Sequence, residues 1–339
     1  MTLRQHAARV LRALVGVPGW LYAVAMIGYL AARLIVGEGW MIVELINSLL
    51  PLLTFPAVPL IAFALVLGQK RLAVALVPAL ALLLIQNVPL FLPNPSTAPE
   101  DAPRLRVLTF NLGSRIDTIP LFEAIIRSVN PDVVALQEFL IPTSDGLAAE
   151  LADEYPYQAL HPTGGFAVGT GIFSRYPIVD DQALSGIVLG SQAVRIAWIN
   201  GQEITIINAH PVPPQLGLNF NTRRRSSEIA MLLEAAATET NPLILLGDFN
   251  STDQSNDYAR ITARYGDAFR ESGTGFGLTF PSLSGYDYPY SLFRWMPPVI
   301  RIDYVFYSEH WTAVSARVIG ESGRSDHYPV TAELALTGG

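Results

Sequence analysis

Six short stretches of the 339-residue chain carry side chains able to move a proton, hold a hard cation or donate to a phosphate oxygen. Each lies where an apolar run stops or starts. Thr109-Phe110-Asn111-Leu112 closes one run on an amide, Ala135-Leu136-Gln137-Glu138 closes another on a carboxylate, and Asn208-Ala209-His210-Pro211 supplies an imidazole. Leu243-Ile244-Leu245-Leu246-Gly247-Asp248-Phe249-Asn250 ends four apolar residues with a glycine turn, an Asp and an Asn. Arg301-Ile302-Asp303-Tyr304-Val305-Phe306 begins a run with an Asp, and Ser325-Asp326-His327-Tyr328-Pro329-Val330 sets Asp and His just ahead of the last run. Any one of these alone is an ordinary strand with an Asx-turn. Together they make a specific signal, because ligands in layered folds gather at strand ends and the loops beyond them.

The set suits in-line displacement at phosphorus. Mg²⁺ takes one or two carboxylates and keeps several waters, so a single Glu with few helpers suffices to hold it. Displacement also needs a positioned water, a base, and positive or donor groups on the equatorial oxygens. A carboxylate facing an imidazole raises its pKa and fixes its tautomer, which keeps the imidazole charged opposite phosphate. The absence of cysteine excludes disulfides, cysteine nucleophiles and thiolate metal sites. The run Arg223-Arg224-Arg225, opening a helix after Asn221-Thr222, reads as solvated surface, and Gly169–Pro177 reads as a structural strand and turn.

The elements that must position these groups alternate after residue 104. Strands are expected at Leu105–Leu112, Asp132–Glu138, Gly171–Ser174, Ala193–Ile199, Glu203–Ala209, Leu243–Leu246, Ile302–Tyr307, Ala313–Ile319 and Pro329–Leu336. Helices are expected at Ile119–Val129, Thr143–Glu154, Arg223–Ala237 and near Ser255–Arg264, with Ile229, Leu232, Leu233 and Ala236 at helical spacing. Many strands with few helices predict an α/β fold of two sheets packed face to face with helices outside, a four-layer α/β/β/α sandwich.

Residues 1–92 are of another kind. Half of the chain is hydrophobic and 15% charged, with a mean hydropathy of +0.34. Residues 1–98 hold six basic and two acidic residues, whereas the remainder is net −11 and contains no lysine. Three apolar runs, Val17–Val36, Met41–Leu67 and Leu72–Leu92, approach the ~20 residues that cross a bilayer core; two spans and a re-entrant piece are the alternative. Arginines precede the first run and Lys70-Arg71 lies between the second and third, while the loop Gly37–Trp40 has no basic residue. The positive-inside rule then predicts a multi-pass anchor in the cytoplasmic membrane with a cytoplasmic N-terminus and an extracytoplasmic C-terminal domain. Residues 93–103 read as a proline-rich linker, which makes 104–339 the soluble domain. Its loop 285–299, crowded with Tyr286, Tyr288, Tyr290, Phe293 and Trp295, reads either as a packed cluster or as a surface that enters the bilayer interface.

The six motifs in this order resemble the endonuclease/exonuclease/phosphatase superfamily, the deoxyribonuclease-I-like fold, over Leu105–Leu336, and the apolar leader resembles its membrane-anchored bacterial members. The resemblance implies a two-sheet sandwich that cleaves phosphodiesters or phosphomonoesters with a divalent metal, Mg²⁺ or Mn²⁺. It implies Glu138 as the main metal ligand with Asn111 beside it and Asp326 near the metal. Asp248 would orient or deprotonate the attacking water, Asn250 would contact phosphate, Asp303 would orient His327, and His210 would contact the phosphate or leaving group. Whether Asp248 or His327 is the base, and whether one metal or two take part, stays open. The expected function is a membrane-tethered metal-dependent phosphoesterase acting on a phospholipid or other membrane-proximal substrate. Its rivals are an extracytoplasmic nuclease acting on DNA or RNA, and an inactive scaffold. A nuclease leans on Lys and Arg to neutralise phosphates, which the acidic domain disfavours; a scaffold would need losses at the ligand positions, and none is seen.

Overall fold

The computed structural model describes residues 3–92, 94, 96–214, 222–283 and 296–338. Most of the aromatic loop expected at 285–299, including Phe293 and Trp295, and Asn221 lie outside the described residues. The chain divides into two compact units, Met1–Leu92 and Pro93–Gly339.

The first unit is helical: α1 (Leu3–Val36), α2 (Met41–Ser48), α3 (Leu50–Thr54), α4 (Ala57–Val66) and α5 (Lys70–Asn87). Among the described residues two helical stretches are long and apolar enough to cross a membrane, Gln5–Val36 and Lys70–Phe91. The run expected as a middle span is bent by 81° between Ile42–Ser48 and Leu50–Val66. The sequence supplies the cause: Pro51 sits in the first turn of α3 and Pro56 follows it, and proline removes the amide that would carry a helix through.

In the second unit β1 (Arg104–Asn111), α6 (Ile119–Val129), β2 (Val133–Gln137), α7 (Ile141–Glu150), β3 (Tyr157–His161), β4 (Thr170–Ser174), β5 (Ile178–Ala183), β6 (Gln192–Ala197) and β7 (Glu203–Ala209) come first. They are followed by α8 (Arg223–Thr238), β8 (Leu243–Asp248), α9 (Asn256–Thr262), β9 (Gly266–Asp267), α10 (Ala268–Ser272), β10 (Asp303–Tyr307), β11 (Trp311–Val318) and β12 (Val330–Leu336). They form two mixed six-stranded sheets, ordered β11-β12-β1-β2-β4-β3 and β5-β6-β7-β8-β10-β9. The sandwich expected from the sequence is thereby present. The edge strands β3 and β5 escape the sequence pattern, since Tyr157 and most of β5 face solvent and an edge strand needs no continuous apolar run.

Alternation along each strand explains the layers. Leu105 and Val107, Val133 and Ala135, Ile204 and Ile206, Ile244 and Leu246, and Val305 and Tyr307 pack in one core between the sheets. Their neighbours point outward: Leu108, Phe110, Val134 and Leu136 bury Phe122, Ile125 and Ile126 of α6 and Leu147 of α7. On the other sheet Ile207, Leu243, Leu245 and Phe306 bury Ile229, Leu232 and Leu233 of α8. With a period of two, the next inward positions at one end of the sandwich are Asn111, Gln137, Asn208, Asp248 and Asp303. The inter-sheet core therefore turns polar at that end.

Gly247 makes the junction of β7 and β8 feasible. Its φ is +144°, and a Cβ there would lie 2.0 Å from the Ala209 carbonyl oxygen. We expect Gly247→Ala to destabilise the chain by about 3 kcal/mol or more through strain and overpacking. The check is a thermal unfolding curve, in which an unchanged midpoint would contradict that close approach.

Candidate active site

Asp248 lies at the centre of the polar end. It is buried, its Oδ1 accepts the Asn250 amide at 2.8 Å, and its Oδ2 accepts Asn111 Nδ2 at 3.0 Å. Asn111 Nδ2 also lies 3.3 Å from Glu138 Oε1, so one amide joins the two carboxylates. The oxygen of that amide is engaged by the Gly113 N–H at 2.9 Å. In this arrangement Asn111 serves as a donor to Glu138 and Asp248, and its oxygen is turned away from them.

Glu138 reaches the site by breaking the alternation of β2. Gln137 faces inward, so an extended Glu138 would face the helices. Instead its φ is +52°, in the left-handed region that non-glycine residues seldom adopt. Its second oxygen accepts Ser114 Oγ–H at 2.8 Å, and Ser114, itself at φ +53°, accepts the Ala167 amide at 2.8 Å. Burial raises the Glu138 pKa, and the negative charge of Asp326 raises it further, against the pull of His327. Asp326 Oδ1 is buried with no hydrogen-bond partner among the described residues. Gly113 leaves it room, since a Cβ there would lie 2.7 Å from that oxygen. Two carboxylates felt by one another, one with an unpartnered oxygen, are a donor set suited to a hard divalent cation.

The imidazoles differ in charge. His327 Nδ1 lies 3.0 and 3.2 Å from the two oxygens of Asp303. Burial alone would lower its pKa, yet the charges of Asp303 and Asp248 and the hydrogen bond to Asp303 hold it well above the ordinary histidine value. His210 is buried, and among the described residues no carboxylate lies in hydrogen-bond range of it. Burial and the nearby positive His327 depress its pKa to about 3, so it is neutral. Its Nε2 and that of His327 each stand 3.7 Å from Asp248 Oδ2, too far for a hydrogen bond. Burial pushes Asp248 up to about 7; Asp303 adds to the rise and His327 opposes it.

Donor atoms of Asp248, Asp303 and His327 lie within 4.8 Å of one another, close enough to enclose a metal ion. A protonated His327 already supplies positive charge between those carboxylates. The less buried Glu138–Asp326 pair therefore has the stronger claim on a cation.

All eight residues singled out in the sequence thus fall at one end of the sandwich. Asn250 gives one amide proton to the Pro211 carbonyl at 3.0 Å. Its φ is +49°, and its own carbonyl accepts Arg225 Nη1 at 2.9 Å. Arg225 corrects the expectation of a solvated arginine run: it is buried, with Nε 3.2 Å from Asp257, while Arg224 stays exposed. Beneath the site Gln137 Nε2 donates to Asn208 Oδ1 at 2.7 Å, and Asn208 Nδ2 donates to the Leu136 carbonyl at 2.9 Å, crossing from sheet to sheet. The inward parity of Gln137 and Asn208 was the signal for this bridge. Ser114 gave none, because its role depends on two left-handed turns.

A two-sheet α/β sandwich with acidic, amide and imidazole groups gathered at one end of its core defines a class of phosphoester-cleaving proteins. The profile of the Endonuclease/Exonuclease/phosphatase family matches residues 108–327, and the chain belongs to that family. Its members are typically metal-dependent phosphoesterases and nucleases, which supports a hydrolase. No curated protein matches the chain. Among solved structures it is similar to an endonuclease/exonuclease/phosphatase from Bacteroides vulgatus at 20% identity, over 69% of this chain and 100% of that one, with TM-score 0.54. It is also similar to a family member from Beutenbergia cavernae (22% identity, 70% and 72% covered, TM-score 0.52). A third is D. rerio TDP2 complexed with single strand DNA product (15% identity, 68% and 98% covered, TM-score 0.56). At these identities the likeness shows the fold.

Proposed function

We propose that the chain is a membrane-tethered, divalent-metal-dependent phosphoesterase whose soluble unit lies outside the cytoplasmic membrane and hydrolyses a phospholipid or another membrane-proximal phosphoester. The observation that carries the catalytic part is the placement of Asp248 between a donor amide, Asn111, and a charged imidazole, His327, beside the Glu138–Asp326 pair. The tether rests on the two long apolar helices, and the orientation on the arginine asymmetry around the apolar runs.

Glu138 and Asp326 would hold Mg²⁺ or Mn²⁺, which when bound supplies Lewis-acid stabilisation of phosphoryl oxygens. Asp248 accepts a proton from the attacking water; a buried carboxylate with a pKa near 7 is a far better base than an exposed one. His327 cannot accept that proton while Asp303 holds it charged, so it faces the phosphoryl oxygens as a cation and donor. Asn250 offers its second amide proton to the same charge. His210, neutral, contributes a polar wall toward the leaving group. The Gln137–Asn208 bridge keeps the two sheets, and so Glu138 and Asp248, in fixed separation.

Ser114 positions Glu138 through its hydroxyl. Ser114→Ala should weaken Mn²⁺ binding by roughly 10- to 100-fold, the usual cost of losing a group that orients a ligand. Calorimetry on the full chain is the check, and an unchanged affinity would remove Ser114 from the assembly.

The reading is tested with full-length protein in lipid nanodiscs, assayed with Mg²⁺ or Mn²⁺ against phospholipids, soluble phosphodiesters, RNA and duplex DNA. Hydrolysis of phospholipid above that of DNA is expected, because a unit of net −11 repels polyanions. Efficient plasmid nicking with every lipid ignored would assign the chain to the nucleases.

A further inference from the structure

The loops around the site carry a feature that the chemistry above does not use. Strand pairing fixes which connections share its end of the sandwich. β1 and β2 finish there, β4 starts there opposite Gln137, β6 starts opposite Asn208, and β10 starts opposite Asp248. Among the described residues, the segment after β1, the β3–β4 and β5–β6 connections and the segment leading to β10 each expose one large apolar side chain, and so does the first position of α7, after β2. These are Ile116, Ile141, Phe166, Val188 and Leu283. Phe166 is 75% exposed and the other four are between 45% and 55% exposed. Leu283 belongs to this end through its neighbour Ser282, whose amide donates to the Asp326 carbonyl at 2.7 Å. Phe166 belongs to it through Ala167, whose amide donates to Ser114 at 2.8 Å. The opposite end exposes Tyr157, Val179 and Ile199, at 38–50%.

Burial of exposed apolar surface is favourable, and the shared placement of these five side chains at one end of the sandwich lets one apolar medium cover them together. A protein partner is met by a contiguous packed patch with a polar rim. These residues instead stand on five separate segments of the chain, Ile116 between Arg115 and Asp117 and Phe166 after Gly164-Gly165. That arrangement suits a fluid medium, which adapts to separate anchors. The charge balance points the same way: beyond residue 98 the chain has 27 acidic against 16 basic residues, so attachment here is apolar rather than by a polybasic patch. The chain also brings a bilayer within reach, through helices of 32 and 22 residues that are long and apolar enough to cross one.

We propose that Ile116, Ile141, Phe166, Val188 and Leu283 form an interfacial rim that enters the headgroup region of a phospholipid bilayer, so that the Glu138–Asp248–His327 site meets phosphoesters at the membrane surface. The inference rests on the phosphoesterase reading but is measured separately from it.

The chain has no cysteine, so a single introduced thiol gives one label position. Full-length Phe166→Cys, Leu283→Cys and Val179→Cys, each carrying an environment-sensitive fluorophore, are placed in nanodiscs of phosphatidylcholine and phosphatidylglycerol. Each is measured with and without spin-labelled lipid as quencher. Lipid quenching several-fold stronger at 166 and 283 than at 179 is expected. Equal quenching at all three positions, or none at 166 and 283, overturns the rim. The same samples are assayed on a soluble phosphodiester. Hydrolysis without selective quenching rejects the rim and leaves the site reading standing, whereas selective quenching without hydrolysis supports the rim and rejects the catalytic reading.

Discussion

Glu138→Gln, which keeps the shape of the side chain and removes its charge, should lower kcat on the order of 10³-fold or more and weaken Mg²⁺ binding. Two features make the effect large. Glu138 is held in a left-handed backbone conformation that a freely chosen surface residue would not keep, and Ser114 and Asn111 both donate to its oxygens. The remaining carboxylate at that place, Asp326, is a single anionic donor, and one carboxylate binds Mg²⁺ far less well than two. Several kcal/mol of charge stabilisation would go with the ion, which sets the size of the loss. Metal affinity read by calorimetry separates this from misfolding, since a folded variant retains its melting curve while losing the binding heat. Turnover surviving in Glu138→Gln, or in the wild type with excess EDTA, would sink the assignment of Glu138 and Asp326 to the cation.

The second large effect concerns Asp248, Asp303 and His327. Asp248→Asn removes the base and should cost on the order of 10² or more in kcat, as should His327→Ala. Asp303 makes its hydrogen bond to the site through His327, to whose Nδ1 it lies 3.0 Å, and on Asp248 it acts by charge alone. The double variant Asp303→Ala/His327→Ala should therefore be little worse than His327→Ala alone. Fully additive losses would mean that the two residues act separately. The pH profile carries an independent sign. His327 must keep its proton, and Asp303 holds its pKa above the ordinary value. Asp303→Asn removes that support, so the proton leaves at lower pH and the alkaline limb of kcat/KM should move toward acid. A limb that stays in place would exclude His327 as the protonated partner.

Much of this site was legible because strand alternation and strand ends are written in the order of residues. Asn111, Asp248 and Asp303 lie on the inward parity of apolar strands, so their meeting follows once two sheets face each other. Glu138 was found by its place after Gln137 but not by parity, which it breaks. Contacts that depend on loops or long separation were out of reach. Ser114 meets Glu138 only because both adopt left-handed backbone, and Arg225 is buried only because Asp257 comes to it from another helix. Arg301 gave no hint of its partner: it is buried against Asp267, with two nitrogens 3.1 and 2.7 Å from the carboxylate, and fixes the start of β10 just ahead of Asp303. The edge strands β3 and β5 were missed for the opposite reason, since their exposed faces carry little pattern to read.

The passage of each inward strand face from aliphatic to polar has an effect on how damaged preparations behave. Because alternation has a period of two, a slip of one residue in β8 would turn Asp248 toward the helices in the same movement that turns Ile244 and Leu246 out of the core. Catalytic and packing registers cannot fail separately. Destabilised variants remote from the site should therefore yield fewer competent molecules rather than poorer ones, with the measured maximal velocity tracking the folded fraction while KM holds constant.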